Sequence, residues 1–331
     1  MVVKTSKTKL PPVSKIEDLV GLGAVSLANL AKEDITTLSQ LTLKTAEELS
    51  EITGLSVGAC KKILNHACSS YTFKVENAND LSIASKNNKF CSTHSKVLDG
   101  LLRGGLEEGS TYEFYGAFGS GKTQIVFSTI ACFLVNEDFT NKKVLIIDTE
   151  NTFVSSRLEE VLTNKNLPSE KISDLLSRVY VFAPKTVDEQ MILFKRLREE
   201  GEINTTTGII ELKDIKYIAV DSLVCLFRAS FLGRGTLQER QQKINSYLAD
   251  LVSIVQQCNA FCIFTNQVVS SPDPYAPDMI PVGGNIVAHA STHRIKLKRY
   301  AGGIRSAKVM DSPNLPEEEI KFRVDESGVL D

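Results

Sequence analysis

Several features are missing from this 331-residue sequence, and each absence excludes a class of protein. No apolar run approaches the roughly 18 residues that a membrane-spanning helix needs, so we expect no membrane protein. The basic N-terminus has no apolar segment behind it, so we expect no secretory signal. The seven cysteines are odd in number and include no CxxC pair. They are typical of buried free thiols in a reducing, cytoplasmic location.

The sequence also lacks an excess of positive charge, since its formal net charge is −2 at pH 7. No overall field would attract nucleic acid, and any attraction must come from local patches. One such patch is residues 279–310, which contain no acid and follow a proline-rich loop. Its basic residues are Arg294, Lys296, Lys298, Arg299, Arg305 and Lys308. We interpret this patch as a phosphate-backbone contact, and the alternative is an ordinary solvated basic face.

The most specific motif that is present lies at residues 116–123, which read G-A-F-G-S-G-K-T and match G-x-x-x-x-G-K-[ST] in full. A β-like segment (111–115) precedes it and an apolar, helix-like stretch (124–135) follows. This order lets glycine N–H groups wrap a phosphate at a helix N-terminus, so we expect ATP to bind here. The candidate contacts are Gly116, Ala117, Phe118, Gly119, Ser120, Gly121, Lys122, Thr123 and Gln124.

Two residues of the motif and one acid outside it would serve the phosphates and their metal. Lys122 would reach the β- and γ-phosphates, and the Thr123 hydroxyl would bind Mg²⁺. Asp221 follows the apolar strand 216–220 in a Walker B arrangement and would hold Mg²⁺ as well. The acid alone is a weak signal, because many strands end in aspartate, but its pairing with the glycine motif is informative.

Polar residues at two further strand ends are candidates for catalysis. Asp148 and Glu150 follow the strand 144–147, where a carboxylate would orient or deprotonate the attacking water. We favour Glu150, because Asp148 still lies at the strand tip; for either residue the alternative is a helix N-cap. Gln267 follows the strand 261–265, where its amide would detect the γ-phosphate, unless it is an ordinary loop residue.

The pattern of apolar residues divides the chain into a small helical part and a larger α/β part. Residues 1–14 are predicted to be a flexible tail, 15–70 a helical N-terminal domain, and 71–92 a polar linker. From residue 93 to 331, apolar strands alternate with helices, which predicts a mostly parallel sheet covered on both faces.

Two features outside the α/β part are candidates for function. Glycine turns at residues 20–23 and 54–58 lie between helical segments and suggest a helix-hairpin-helix, with the first turn the better match. The alternative is a plain helical bundle. Phe73, in a polar setting, is predicted to be a polymerisation residue that docks on a neighbouring protomer, unless it folds back onto its own domain.

Two loops have the composition of DNA-binding segments. The first, around residues 227–243, combines glycine and glutamine with Arg228, Arg234, Arg240 and Lys243. The second, residues 268–287, carries four prolines and then Gly283 and Gly284. It is long for a compact domain, which indicates function or mobility.

Taken together, these motifs resemble the RadA/RecA family of recombinases, of the archaeal RadA type, over residues 15–331. Matching segments include 116–124, D-T-E-N-T-F at 148–153, V-D-S at 220–222, T-N-Q-V at 265–268 and D-S-P at 311–313. The resemblance implies a RecA-like ATPase core and a filament or ring of protomers on single-stranded DNA, with homologous pairing to double-stranded DNA. It also implies that ATP lies at each protomer interface and, if the source is archaeal, that the protein is associated with the nucleoid.

The resemblance assigns further residues to that interface. Arg157 would stack on adenine, His289 would help to sense the γ-phosphate from the adjacent protomer, and Asp311 and Pro313 would cap the nucleotide. The sequence departs from the family pattern at Ala117, often an acid, at 154–156, at the loop tip 275–278 and at Glu76, where the linker motif has a small residue.

Three other functions compete with the strand-exchange hypothesis. A recombinase paralogue would bind ATP and load or regulate the main recombinase. A RecA-core motor would unwind forked DNA processively. A binding module without enzyme activity would be unaffected by replacing Lys122.

Overall fold

The computed structural model describes residue 13 and residues 15–70, 75–231, 233–270 and 279–331, without the side chain of Arg234. Phe73 and nearly all of the predicted tail therefore lie outside the described residues. The chain divides into two compact units, Met1–Lys86 and Asn87–Asp331, which we describe separately.

The first unit is helical. Its helices are α1 (Ala24–Lys32), α2 (Leu38–Thr42), α3 (Ala46–Thr53), α4 (Val57–Ser70) and α5 (Ala78–Ser85), after a short 3₁₀ turn at Ile16–Asp18. Three of these helices, α2, α3 and α5, begin at side-chain caps. Thr37 and Thr45 each form a capping box with the residue three positions later. The helices pack around a core that includes Leu30, Leu41 and Leu49, all fully buried.

The two glycine turns of this unit are flanked by different elements, although the sequence favoured the first turn as the better match to a helix-hairpin-helix. The first turn follows only the 3₁₀ turn Ile16–Asp18, whereas the second joins two regular helices, α3 and α4. Gly54 ends α3 in the left-handed region at φ 72°, which glycine adopts without steric cost. The second turn therefore lies between two regular helices, and the helix-hairpin-helix stays a prediction. The predicted linker is not irregular throughout either, since α5 lies within it.

The second unit alternates strands and helices. Its elements are β1 (Phe90–Cys91), α6 (Lys96–Leu101), β2 (Leu106–Glu107), β3 (Thr111–Gly116), α7 (Lys122–Val135), β4 (Lys143–Asp148), α8 (Ser155–Thr163), α9 (Ser169–Ser177), β5 (Val179–Phe182), α10 (Val187–Glu200), β6 (Glu202–Thr205), β7 (Gly208–Glu211), β8 (Ile215–Asp221), α11 (Cys225–Ser230), α12 (Leu237–Cys258), β9 (Phe261–Asn266), β10 (Val268–Ser270), β11 (Met279–Pro281), α13 (Gly284–Ala290), β12 (His293–Arg299), β13 (Ile304–Asp311), β14 (Glu319–Asp325) and β15 (Gly328–Leu330).

A nine-stranded sheet organises this unit, in the order β15-β14-β13-β12-β3-β9-β8-β4-β5. Every neighbouring pair from β12 to β5 is parallel, and the pairs from β12 to β15 are antiparallel. The predicted α/β class with a mostly parallel sheet is confirmed. Sequence reasoning did not predict the antiparallel extension or the β6–β7 hairpin, whose strands are short and polar.

Both faces of the sheet are covered, as the continuous apolar strands predicted. Along β4, Val144 and Ile146 face one core, packed by α7, α8 and α9, while Leu145 and Ile147 face the other, packed by α10 to α13. In the first core the Phe133 ring lies 5.0 Å from that of Phe139.

The cysteines are free thiols, as the sequence predicted. All seven are free, and Cys68 is the exposed one. Burial raises the pKa of Cys91, Cys132, Cys225, Cys258 and Cys262. Within the part of the chain that the structure describes, no helix combines the length and the apolar character needed to cross a membrane.

Candidate nucleotide and DNA site

The candidate nucleotide site lies where four parallel strands, β3, β9, β8 and β4, end at the same edge of the sheet. Ligands in such sheets bind beside the carboxyl ends of the strands. A cavity of about 440 Å³ opens there, and the glycine motif, Glu150, Asp221 and Gln267 line it.

The glycine motif joins β3 to α7, as predicted, and its glycines are needed for close approach. A Cβ at Gly116 would lie 2.4 Å from the carbonyl oxygen of Leu297 on β12. Gly121 has φ 102°, where a side chain would be strained. The buried Ser120 hydroxyl has no hydrogen-bond partner among the described residues. Phe118 is 98% exposed at the tip of the loop.

Lys122 begins α7 and turns back over the loop. Its ammonium donates to the carbonyl oxygens of Gly116 at 2.9 Å and Ala117 at 3.1 Å. Partial burial lowers the pKa of Lys122, and the carboxylates of Asp221 and Glu150 oppose that shift. The ammonium is thus held inside the loop, where a phosphate would be bound.

Thr123 and Asp221, the predicted metal ligands, are in direct contact. The Thr123 hydroxyl donates to Asp221 Oδ2 at 2.6 Å, and Thr265 donates to Oδ1. Burial raises the pKa of Asp221, although both hydroxyl hydrogen bonds lower it. No group of three or more His, Cys, Asp or Glu side chains that would hold a metal exists among the described residues. One hydroxyl and one carboxylate fit Mg²⁺, which completes its shell with phosphate oxygens and water.

The two candidate catalytic acids at the end of β4 occupy different environments. Asp148 is buried and accepts the backbone N–H groups of Thr152 and Phe153 at 3.1 and 2.9 Å. It therefore fixes the turn after β4. Glu150 is exposed, lines the cavity, and accepts the Ser222 hydroxyl at 2.6 Å. This difference supports Glu150 as the acid that meets water.

Gln267 connects the cavity to the first predicted DNA loop. Its amide nitrogen donates to Glu150 Oε1 at 2.8 Å, and its amide oxygen accepts from Arg228 at 2.6 Å. Gln267 is thus more than an ordinary polar loop residue. Sequence reasoning placed Gln267 near a phosphate but did not predict its contact with Arg228, because strand order decides which loops meet.

Arg157, predicted to stack on adenine, lines a second cavity of about 650 Å³ with Gln124 and residues 324–326. Its guanidinium donates to Gln124 Oε1 at 2.9 and 3.0 Å and to the carbonyl oxygens of Asp325 and Glu326 at 2.7 Å. Gln124 lines both cavities, so the second cavity continues the first. This position suits a base whose phosphates lie at the glycine loop.

Comparison with known proteins agrees with this geometry. A family model described as Rad51 matches residues 86–331. The DNA repair and recombination protein RadA of Methanoculleus marisnigri is 34% identical over 322 residues, which cover 95% of this chain and 98% of that protein. The protein of the same name from Methanocorpusculum labreanum is 34% identical over 325 residues, with the same coverage. The chain belongs to the RadA/Rad51 family of recombinases. The predicted resemblance is confirmed.

Three residues that the RadA/Rad51 resemblance assigned to the nucleotide do not line the cavity of their own chain. They are His289, Asp311 and Pro313. All three are exposed, which suits side chains that act on a neighbouring protomer's nucleotide. Their role therefore stays a prediction.

The predicted DNA-binding residues of the first loop divide into two groups. Arg228, on α11, contacts Gln267, and Arg240 is partly exposed on α12. Lys243 instead lies 3.4 Å from Asp188 and 3.9 Å from Glu239, with its ammonium over the Phe231 ring. Its charge is thus partly balanced by two exposed acids, and its predicted contact with DNA stays a prediction. The side chain of Arg234 lies outside the description.

In the second predicted DNA loop, β10 and β11 pair as an antiparallel ribbon that leads into α13, and the tip 271–278 lies outside the described residues. Gly283 is buried, and a Cβ there would lie 2.3 Å from Val287. The turn into α13 therefore requires glycine at this position, and Gly284 is exposed. The predicted DNA contact of both glycines stays a prediction.

The basic patch at 279–310 is also partly neutralised. Arg294 forms a 2.6 Å ion pair with the fully buried Glu113, and Lys308 forms one of 2.6 Å with Glu317. Arg305 faces the glycine loop and lines both cavities. The sequence did not indicate that Arg305 lines these cavities, because it lies within a basic run that we assigned to DNA.

His293 supports the segment that carries Asp311 and Pro313. Its ring is buried, stacks on Tyr112 with a centroid distance of 4.5 Å, and bonds through Nδ1 to the Ser312 hydroxyl at 2.8 Å. Burial lowers the pKa of His293 to about 4.

This buried histidine predicts a pH dependence of stability. An unfolded histidine binds its proton near pH 6.5, so the folded state loses stability as the pH falls from about 6.5 to 4. In His293→Gln, this loss should be smaller by at most about 3 kcal/mol. Urea unfolding at several pH values measures it. Ser312→Ala is the control, since it removes the hydrogen bond but keeps the histidine buried; parallel wild-type and His293→Gln curves would contradict the prediction.

Proposed function

We propose that this chain is an ATP-dependent recombinase that forms filaments on single-stranded DNA and promotes homologous pairing and strand exchange in DNA repair. The RadA relatives, named for DNA repair and recombination, support this function over most of the chain's length. The observation that carries the proposal is the continuous contact from Glu150 through Gln267 to Arg228. It joins the candidate catalytic acid to a candidate DNA-binding residue.

The nucleotide would be bound across both cavities. The amides of residues 116–123 and the Lys122 ammonium would surround the phosphates, and the Arg157 cavity would hold the base. Thr123 and Asp221 would hold Mg²⁺, which supplies positive charge to the transferred phosphoryl group. Glu150, exposed at the cavity and fixed by Ser222 and Gln267, would orient the attacking water and accept its proton.

Coupling to DNA follows from the two hydrogen bonds of Gln267. A γ-phosphate that accepts a hydrogen bond from the Gln267 amide competes with Glu150 for the same donor. Rotation or displacement of that amide also changes its bond to Arg228 on the first DNA loop. ATP binding and hydrolysis would in this way alter the presentation of Arg228 to a DNA phosphate.

Hydrolysis should depend on Glu150 and Lys122 in different ways. Glu150→Gln should keep nucleotide binding and lower the hydrolysis rate about 100-fold or more, because the general base is lost. Lys122→Ala should lower both binding and hydrolysis. Phosphate release with single-stranded DNA measures the rate, and Glu170→Gln, an exposed acid on α9, is the control. A non-enzyme binding module predicts no change in either variant.

DNA affinity should follow the nucleotide through Gln267. Wild-type protein should bind a single-stranded oligonucleotide more tightly with a non-hydrolysable ATP analogue than with ADP, and Gln267→Ala should bring that ratio close to one. Fluorescence anisotropy measures both affinities. The affinity should also fall steeply with salt, with a log–log slope of about −0.7 per phosphate contact.

Controls for this experiment come from the same chain. Arg228→Ala should weaken DNA binding, whereas Arg103→Ala, an exposed arginine outside both predicted DNA loops, should not. If wild-type protein binds DNA equally well with the analogue, with ADP and with neither, the proposed coupling is wrong.

An apolar groove supports assembly into a homo-oligomer. β5 is an edge strand of the nine-stranded sheet, and beside it lies a groove of about 1070 Å³ between α10 and the β6–β7 hairpin. Tyr180, Phe182, Ile192 and Ile203 line it. An unpaired strand edge next to an apolar groove accepts an extended peptide with an apolar anchor. We propose that the segment carrying Phe73 of a neighbouring protomer occupies it.

Assembly should therefore be sensitive to charge in the groove. Ile192 is 56% exposed and lines the groove, whereas Ile209 is 55% exposed on β7 and does not. Ile192→Glu should abolish filaments on single-stranded DNA, and Ile209→Glu should leave them intact. Electron microscopy with a non-hydrolysable ATP analogue distinguishes the two. Filaments of normal length in Ile192→Glu would exclude the groove as the docking site.

A recombinase paralogue that regulates the main recombinase is one of the alternatives. Intact Glu150 and both DNA loops favour the recombinase. Joint-molecule formation between a single strand and a homologous duplex decides between them. DNA-stimulated hydrolysis without joint molecules would favour the paralogue.

A further inference from the structure

The hairpin formed by β12 and β13 carries two arginines side by side. Arg299 and Arg305 are direct cross-strand partners at the end of the hairpin. Like charges placed opposite each other in an antiparallel pair are destabilising, and each such pair calls for an explanation.

The surroundings of this pair provide no counter-charge. No carboxylate of the described residues forms an ion pair with Arg299 or Arg305. Arg305 donates to the carbonyl oxygen of Gly303 at 2.6 Å, and its buried Nε has no partner among the described residues. Burial and the charge of Arg299 both lower the pKa of Arg305, as expected for a cation without a neighbouring anion.

Both side chains are directed at the glycine loop. β12 pairs in parallel with β3, with Leu297 opposite Gly116, so the end of the hairpin lies beside the phosphate-binding turn. A Cβ at Gly119 would lie 2.9 Å from Arg299 Nη1, and one at Gly121 would lie 2.9 Å from Arg305 Cδ. The loop glycines thus make room for these two side chains as well as for a phosphate.

Arg305 alone of the pair lines the cavities. It borders the phosphate cavity and also the adjoining cavity of Arg157, together with Gln124. It therefore stands where the phosphate nearest the sugar passes from one cavity to the other. We propose that Arg305 is a nucleotide-binding residue whose guanidinium contacts the α-phosphate, and that Arg299 adds positive charge behind the glycine loop.

This role differs from that of the other cation in the cavity. Lys122 would serve the β- and γ-phosphates, whereas a contact at the α-phosphate is common to ATP and ADP. Arg305 would therefore contribute to affinity for both nucleotides and not to their discrimination. The bound phosphate would also relieve the repulsion between the two arginines. The inference rests on the proposed ATP binding and adds a residue to the same site.

The test combines stability and affinity in Arg305→Gln. Removing one of two like charges should leave the thermal midpoint of the nucleotide-free protein equal to or above that of wild type. Affinity for ADP, measured by calorimetry, should fall about ten- to a hundredfold, because a charge-assisted hydrogen bond is lost. Affinity for a non-hydrolysable ATP analogue should fall by the same factor. A residue that only supports the fold would lower the thermal midpoint when replaced. An unchanged or higher midpoint together with a weaker nucleotide affinity is therefore not expected of such a residue.

Lys298→Gln provides the matched control, since it removes one exposed positive charge from the same hairpin. This variant should keep the wild-type affinity for ADP and for the ATP analogue. If Arg305→Gln does not fold, Arg305→Lys retains the stem over Gly121 and should still weaken ADP binding, because its ammonium lacks the guanidinium fork. The inference is overturned if a folded Arg305 variant binds ADP within about twofold of wild type. It is also overturned if the loss of affinity is confined to the ATP analogue, or if Lys298→Gln shows the same loss. If wild-type protein binds no ADP, the proposed function itself fails.

Discussion

The parallel alignment of β3, β9, β8 and β4 is the constraint on which the site depends, because it brings four strand ends to one edge. Each strand contributes one part: the glycine loop, the Thr265–Gln267 segment, Asp221 and Glu150. Hydrogen bonds join the ends of β4 and β8. The Thr149 N–H donates to the carbonyl oxygen of Asp221 at 2.9 Å, and the Thr149 hydroxyl donates to the carbonyl oxygen of Ser222 at 2.7 Å. The side chains proposed for catalysis and for phosphate sensing are therefore held by strand ends that are bonded to one another.

Charged side chains are concentrated at this edge, and their burial costs free energy while no ligand is bound. Asp221 is buried with two hydroxyl partners, and Lys122 rests on backbone carbonyls. Such groups are tolerated when they are hydrogen-bonded, and their charges become useful when a ligand of the opposite sign arrives. The arrangement of Arg299 and Arg305 belongs to the same pattern. These contacts support the proposal that the site binds an anion together with a divalent cation.

Local sequence patterns predicted the individual elements well. The glycine motif, the apolar strands and the acids that follow them are specified by neighbouring residues, so Thr123, Glu150 and Asp221 were found without the structure. Contacts between distant strands were not found in this way. The bond between Gln267 and Arg228, the pairing of Arg294 with Glu113 and the position of Arg305 over Gly121 depend on strand order. A charge count treats Lys243 and Arg305 alike, although one is paired with acids and the other faces the nucleotide cavity.

The distribution of thiols has a practical consequence. Cys68 is exposed on α4 of the first unit, whereas the other six cysteines are buried or partly buried, and burial suppresses the thiolate form of several of them. Thiolates are the species that react with maleimides. A single fluorophore can therefore be attached at Cys68 without removing any other cysteine. That label would sit in the first unit and would report on the N-terminal helices while nucleotide and DNA are added.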